Sequence, residues 1–501
     1  MILVSIAGMD TSFIAAEDRV AVNLAATNND VLPDRLHNVA QRMIAESERY
    51  VAWHDVEISR VERLLEALQK QRSVYVTRVQ RYKSTVASYR KIPNELIAEI
   101  FMHSSEYLYV IPKLNQTPWT LERVCSRWRA VAHATPKLWS TIRVRKSWSD
   151  NTLTRHITAL KGLAWRSTGT LISLDVDVAR SKEVVPFVTL LRKNAKRFDH
   201  ISLTVDHTLA RRFLASPPCL FYNLQTLSIK QSSNDQLKIL SVLQGAHNLR
   251  SLTFHFPLPL DTLELSKIPF SQLTTLSLQS NGLPSAVLFE ALAACKLLVV
   301  CALEISIITR HNRNIPNPTR LTLPELERLR LDIARGTQNA DDLWIADLNL
   351  PKLRDFEFHA MGSESLQWRS AWSPTITRSR RLECLMLFNE VSEDVLEEIL
   401  VATPFLIKLE MWCGTKFSNS MLRRMSSGEL LPRLSSLSCV IETEEHLNLH
   451  LDMFDGRRLE SNSAVEITYV HFSTAAAMGS IPLEKLIEVS KKYGVHFPGY
   501  V

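Results

Sequence analysis

Eleven copies of one six-residue pattern, L-x-x-L-x-L or a close variant, constrain this 501-residue chain more than any other feature. They begin at Leu171 (LISLDV), Phe198 (FDHISL), Leu224 (LQTLSI), Leu249 (LRSLTF), Leu273 (LTTLSL) and Leu298 (LVVCAL). They continue at Leu326 (LERLRL), Leu353 (LRDFEF), Leu382 (LECLML), Leu406 (LIKLEM) and Leu434 (LSSLSC), at intervals of 24 to 29 residues. Apolar residues alternating with polar ones suit a strand with one buried face. A fixed period of this length means that each strand returns through a helix or loop and stacks on the next. The kernels therefore predict an α/β array in which neighbours supply one another's core. WSTIRV from Trp139 reads as a copy before the first, and Val465–Val470 as one after the last. Helical returns are predicted at Gln236–Leu243, Ser285–Leu297, Glu393–Ala402 and Ser418–Met425. The C-terminal IPLEKLIEVSKKYGV predicts a closing helix and a short strand, with Leu483, Leu486 and Ile487 buried and Gly494 at the C-cap.

Upstream the pattern changes. Residues 1–33 lack periodicity and end in the turn-rich TNNDVLPD, so no regular structure is expected there. Residues 34–90 contain neither Gly nor Pro, which permits one long helix. Ile44, Val51, Ile58, Leu65, Arg72, Val79 and Val86 fall on heptad position a; Ser47, His54, Val61, Leu68, Tyr75, Tyr82 and Tyr89 fall on d. From Ile58 onward nine of ten seam positions are apolar or aromatic, with Arg72 the exception. A homodimer through residues 44–89, an intramolecular hairpin and a single helix laid along the following domain all fit this spacing.

Residues 91–145 hold two short apolar stripes. Pro93 suits a first helical turn, and Leu96, Ile97, Ile100 and Phe101 follow at helical spacing. After a polar loop from His103 to Thr120, the residues Leu121, Val124, Cys125, Trp128, Val131 and Ala132 form a second helix that Pro136 ends. IPNELIAEIF with VCSRWRAVAHATPKLW resembles an F-box, in the variant abundant among fungal F-box-like proteins, which often carry a heptad helix just before the box. Two features depart from the generic box: Ile92 replaces the usual Leu, and the loop between the stripes is longer. The kernels that follow resemble leucine-rich repeats. Together they are similar to substrate receptors of cullin–RING, SCF-type ubiquitin ligases.

That resemblance implies a non-catalytic adaptor whose box docks a Skp-type linker, and through it cullin, while the repeats hold a protein substrate. Carried over by position, the linker-facing candidates are Pro93, Leu96, Ile97, Ile100, Phe101, Val124, Cys125, Trp128, Leu138 and Trp139. In so small a module some of these pack inward, Trp128 and Leu96 foremost. The domain reading is 1–33 without regular structure, 34–90 a long helix, 91–145 the F-box module, and 146–501 an irregular leucine-rich-repeat solenoid closed by a helix and strand. A ligase-independent scaffold that self-associates through the heptad helix is the rival reading.

Composition limits the alternatives. Only 13 glycines are present, and neither GxGxxG nor GxxxxGK[ST] occurs. The seven cysteines are scattered with no CxxC spacing, which predicts buried free thiols in a reducing compartment. MILVSIAG precedes Asp10 rather than following a basic run, and no long uncharged apolar window exists. No membrane segment is expected, and the location expected is cytoplasmic or nuclear. The net charge of +7 resides in residues 41–150, with 19 Lys/Arg against 11 Asp/Glu. A solvated helix face explains this better than nucleic-acid binding.

No HExxH, GxSxG or kinase signature occurs, Cys125 has no activating His in sequence, and no catalytic residue, cofactor or metal site is expected. His446 and His450 sit among Leu447, Leu449, Leu451 and Met453, an alternation that reads as a strand with both histidines on its solvated side. Trp344, Trp368, Trp372 and Trp412 are expected mostly in the core; any that project would offer an aromatic anchor to a partner.

Overall fold

The computed structural model describes the chain apart from residues 1–14, 29–30, 105–107, 110–116, 145–151, 179–183, 219, 232–234, 236, 238, 257–261, 284, 308–319, 334–343, 361–367, 369, 413–414, 442, 460–466, 468, 475–482, 494 and 497–501. It divides into two units, Met1–Pro93 and Asn94–Val501.

The first unit is helical. α1 (Ala16–Asn28) corrects the expectation of no regular structure over residues 1–33. Glu17 and Asp18 in its first turn favour the helix N-terminus electrostatically, a local signal that apolar periodicity does not register. α2 (Asp34–Thr85) then runs unbroken for 52 residues, about 78 Å at 1.5 Å per residue. Leu36 is its one buried residue.

The second unit opens with α3 (Asn94–Ser104), β1 (Leu108–Tyr109), α4 (Leu121–Val124), α5 (Ser126–His133), a 3₁₀ turn (Pro136–Trp139) and β2 (Thr141–Val144). Two expectations are corrected here. The stretch expected as loop from His103 is regular to Ser104, and Leu108–Tyr109 pairs in parallel with Ile142–Arg143. The helix expected to run on from Leu121 is interrupted at Cys125, whose backbone is extended (φ −160°, ψ 171°). Its thiol then accepts the Trp128 N–H at 3.4 Å and caps α5.

Strands follow in chain order: β3 (Ile172–Val178), β4 (Phe198–Val205), β5 (Thr226–Gln231), β6 (Ser251–His255), β7 (Thr275–Leu283), β8 (Val300–Ile307), β9 (Leu321–Thr322), β10 (Arg328–Ile333), β11 (Leu348–Asn349) and β12 (Asp355–Ala360). The series ends with β13 (Cys384–Leu387), β14 (Lys408–Met411), β15 (Ser436–Ile441), β16 (Tyr469–Thr474) and β17 (Val495–His496). All but β9 and β11, which pair with each other, form one 15-stranded sheet in sequence order. Every pairing in it is parallel. All eleven kernels are strands, WSTIRV supplies β2, and the copy expected at Val465–Val470 falls slightly later, at β16.

Register explains why the array holds. The fourth kernel residue of each copy pairs with that of the next: Ile142, Leu174, Ile201, Leu227, Leu252, Leu276, Cys301, Leu329, Phe356, Leu385, Leu409 and Leu437. None of these is more than 3% exposed, and neither are the residues two places on, from Val144 and Val176 to Leu387 and Met411. Burying such a side chain stabilises by about 1.5–3 kcal/mol, so the two rows are the backbone of the core.

Returning helices cover that face: α6 (Thr152–Arg166), α7 (Val184–Lys193), α8 (His207–Leu214), α9 (Thr262–Leu265), α10 (Ser285–Ala294), α11 (Ser373–Thr377), α12 (Glu393–Ala402), α13 (Asn419–Ser426), α14 (Glu444–Leu459) and α15 (Leu483–Tyr493). α8 shows the logic: Asp206 caps it by accepting the Leu209 N–H at 2.8 Å, and Leu209, Ala210, Phe213 and Leu214 turn inward. Of the stretch expected as a helix at Gln236–Leu243, the described residues hold a 3₁₀ turn over Ser241–Leu243, and Gln236 and Lys238 lie outside the described residues. On α15, Leu486 is buried but Ile487 is 42% exposed, and Val489 takes the inward place expected of it. Gly494 and the Leu483 side chain lie outside the described residues.

The strand expected around His446 and His450 is a helix, α14. Leu447, His450, Met453, Phe454 and Arg457 are its buried residues, a spacing of three to four that overrides the period-two alternation of the leucines. Gly456 faces Ser426, whose Oγ would lie 1.8 Å from an added Cβ; the small residue lets α14 approach α13. No helix among the described residues is long and apolar enough to cross a membrane.

Candidate protein-docking surfaces

Two surfaces of the second unit present groups that folding leaves without a core role. The first is on the α3–α5 segment. α3 is amphipathic in an offset way: Ile97 and Phe101 are 3% and 1% exposed, while Leu96 and Ile100, one turn apart, are 56% and 53% exposed. Phe101 meets Trp128 edge to face with centroids 5.0 Å apart, and the Arg127 guanidinium donates to Asn94 Oδ1 at 2.9 Å. These contacts fix α5 against α3. Val124 is 57% exposed beside the Cys125 break, and the Cys125 thiol, expected to be buried, is exposed.

Leu138 and Trp139 face the other way. Trp139 is wholly buried, donates its indole N–H to the Ala132 carbonyl at 2.7 Å, and lies edge-on to Trp119 at 5.4 Å. Arg166 of α6 sits over both rings, 4.6 Å from Trp139 and 5.2 Å from Trp119, and pairs with Glu122 of α4 at 3.2 Å. The segment is thus bonded to the start of the sheet through one tryptophan.

Of the ten sequence-selected residues, Leu96, Ile100, Val124 and Cys125 therefore form the exposed group in this unit, with Trp128 partly covered. Ile97, Phe101, Leu138 and Trp139 hold the segment together. Leu96, expected to pack inward, does not; that place belongs to Ile97. Pro93 is exposed at the end of the first unit.

The second surface is the sheet face opposite the helices. Alternation puts kernel positions three, five and seven there. In the middle of the sheet position five is small: Ser202, Ser228, Thr253, Ser277 and Ala302. Across β10, β12, β13 and β14 it changes to Arg330, Glu357, Met386 and Glu410, and at β15 it returns to the small Ser438. Arg330 pairs with Asp332 at 2.8 Å and Glu357 at 3.3 Å, and His359 reaches Asp332 at 3.4 Å. The hydrogen bond to Asp332, with the neighbouring carboxylates, holds the Arg330 guanidinium above its ordinary pKa.

Beside these charges runs a row of rings. Phe388 extends β13, its N–H donating to the Phe358 carbonyl at 3.0 Å, and Trp412 extends β14, donating to Leu387 at 3.1 Å. His359 lies 4.6 Å from Phe388, and Phe388 lies 6.0 Å from Trp412 with planes 5° apart. The Trp412 indole donates to Glu410 at 3.0 Å, and Glu410 pairs with Lys408 at 2.6 Å. Three part-exposed rings in a row, edged by both signs of charge, suit anchoring a peptide segment.

No protein-family model matches the chain, and no curated protein matches it.

Trp368 and Trp372 are buried at 3% and 1%, packed around Phe358 at 4.9 and 5.5 Å, whereas Trp412 reaches the outer face. The Trp344 side chain lies outside the described residues. Phe388 and His359 were not singled out from the sequence; both stand at the seventh kernel position, which pairing turns outward. One cysteine does meet a histidine. Cys439 Sγ lies 3.7 Å from His450 Nε2, and His450 Nδ1 is 2.8 Å from the His446 carbonyl. Burial drives the thiol pKa upward and the His450 pKa down to about 3, the opposite of thiolate activation. No group of three or more metal-binding side chains occurs among the described residues.

Proposed function

We propose that this chain is a recognition subunit without chemistry of its own: an F-box over residues 91–145 docks the Skp-type linker of an SCF-type ubiquitin ligase, and a leucine-rich-repeat solenoid over 146–501 holds a protein substrate. The observation that carries the reading is the division within α3. Ile97 and Phe101 already fill the inner face, so Leu96 and Ile100 have no intramolecular use for their apolar surface. A helix that keeps one apolar stripe for its own core and a second for solvent is built to enter a groove. The sequential, in-register parallel sheet supports the solenoid reading, since each kernel contacts chiefly its neighbours. Its outer face at Phe388 and Trp412 is the substrate-holding surface in this reading.

The test is co-purification with the linker. Wild type should retain it, and Leu96→Asp with Ile100→Asp should lose it while the melting temperature stays within a few degrees. Equal retention by the double variant would sink the F-box assignment.

A further inference from the structure

The longest unsupported element in the molecule is α2. Only Leu36 of its 52 residues is buried, although helices in water are held mainly by tertiary packing of an apolar face. Between Val51 and Tyr82 eight of ten seam positions are large apolar or aromatic groups, each about half or more exposed: Val51 58%, Ile58 55%, Val61 54%, Leu65 54%, Leu68 54%, Tyr75 62%, Val79 49% and Tyr82 68%. α1 lies against the early turns of α2 but leaves an open groove of about 690 Å³ lined by Ile44, Ser47 and Val51. The seam needs a partner of its own length and pattern.

We propose that two copies of this chain pair antiparallel through α2. The register follows from the residues. Aligning a positions with d positions so that paired numbers sum to 133 sets Leu65 against Leu68 of the second copy, with the twofold axis between them. Ile58 then meets Tyr75, Val61 meets Arg72, His54 meets Val79, and Val51 meets Tyr82. In this register Tyr82 of the second copy enters the groove beside Val51.

Charge decides the direction. The flanks of the seam are acidic in its first half (Glu48, Asp55, Glu57, Glu62) and basic in its second (Arg78, Lys83). A parallel pair would set Glu57 against Glu62, Arg78 against Lys83 and Arg72 against its own copy, all repulsive. The antiparallel pair sets Glu57 against Arg78 and Glu48 against Lys83, twice each by symmetry, and brings Arg72 beside Glu62. In the single chain Glu57 pairs with Arg60 of its own helix at 3.6 Å, and Arg78 lies over the Tyr75 ring at 5.6 Å. Arg78 is exposed and Glu57 is half-buried on the helix surface, so they are placed to re-pair across the seam.

Sedimentation equilibrium of the full chain tests this. A dimer is expected, and Leu65→Asp should make it a monomer that keeps the cooperative unfolding transition of the second unit. Glu57→Lys should raise the dimer dissociation constant by roughly fivefold or more, since it breaks two symmetric pairs and replaces them with repulsion. Adding Arg78→Glu should restore it. A monomeric wild type overturns the proposal, as does a dimer that survives Leu65→Asp. Tighter association on Glu57→Lys also overturns it, because that is the parallel outcome.

Discussion

Phe388 and Trp412 lie with their planes 5° apart and centroids separated by 6.0 Å, at equivalent places just beyond β13 and β14. Neither ring is buried, and the Trp412 indole is steered by its bond to Glu410 at 3.0 Å. A parallel, offset pair of this kind contributes about 0.5–1.5 kcal/mol, so it is a minor element of stability and a large fixed apolar surface. Trp412→Ala should therefore lower the denaturation free energy by about 1 kcal/mol. The same substitution should weaken retention of whatever protein the full chain captures by roughly tenfold or more, as loss of a central aromatic anchor does. Urea titration beside a quantitative pull-down measures both; equal loss in the two would make the pair structural.

Trp139 predicts the reverse balance. It is fully buried, bonded to Ala132, and sandwiched with Trp119 and Arg166. Trp139→Ala should cost about 3–5 kcal/mol. Trp139→Phe keeps most of the volume but loses the indole bond to the Ala132 carbonyl, which retains the Thr135 N–H at 3.3 Å, so a loss of about 0.5–1.5 kcal/mol is expected. Limited proteolysis should show earlier cleavage of the α3–α5 segment in the Ala variant than in wild type.

How much of this was readable beforehand depends on whether a residue's fate is set locally. The kernel leucines were legible because alternation and period together leave one arrangement that buries Leu252, Leu276 and Leu329 at once. Whether Leu96 or Ile97 faces inward was not, because adjacent apolar residues on a short helix are distinguished only by what packs on them. Around His446 and His450 the run HLNLHLDMF satisfies a strand period as well as a helical one, and packing against β15 and α13 selects the helix. The outward Phe388 was invisible for a related reason: a kernel ending in Leu387 gives no sign that its pairing continues one residue further.

Arg457 illustrates a tie that no motif announces. It is 2% exposed, and its guanidinium donates to the carbonyls of Met425 at 2.9 Å, Leu431 at 3.2 Å, Pro432 at 3.2 Å and Leu434 at 3.3 Å. Leu431 is also a non-glycine residue at φ 51°, a conformation that costs of order 1 kcal/mol and persists only when its surroundings hold it. Arg457→Leu removes every one of these donors at once and should destabilise by about 3 kcal/mol. Arg457→Lys keeps charge but not the planar fork and should recover less than half of the loss. The midpoint of urea unfolding for the three proteins decides it.

His450 gives a prediction in pH. Its side chain is wholly buried between Phe417, Cys439 and His446, and burial holds its pKa near 3 against an ordinary value of 6.5. The folded protein therefore keeps His450 neutral at pH values where the unfolded chain protonates it. With the folded pKa below the unfolded one, the contribution is fully present above pH 6.5. It is lost as pH falls from 6.5 towards 3. The slope in that window is about 1.4 kcal/mol per pH unit, so about 2 kcal/mol should disappear between pH 7 and pH 5 from this residue. His450→Gln, which keeps a polar side chain but cannot titrate, should lower stability at pH 7 and make the fall from pH 7 to pH 5 smaller than in wild type by about that amount. Carboxylates elsewhere titrate alike in both proteins and cancel in the comparison. Parallel pH profiles for wild type and variant would show that His450 is charged in the folded state and that its burial among Phe417, Cys439 and His446 does not suppress protonation.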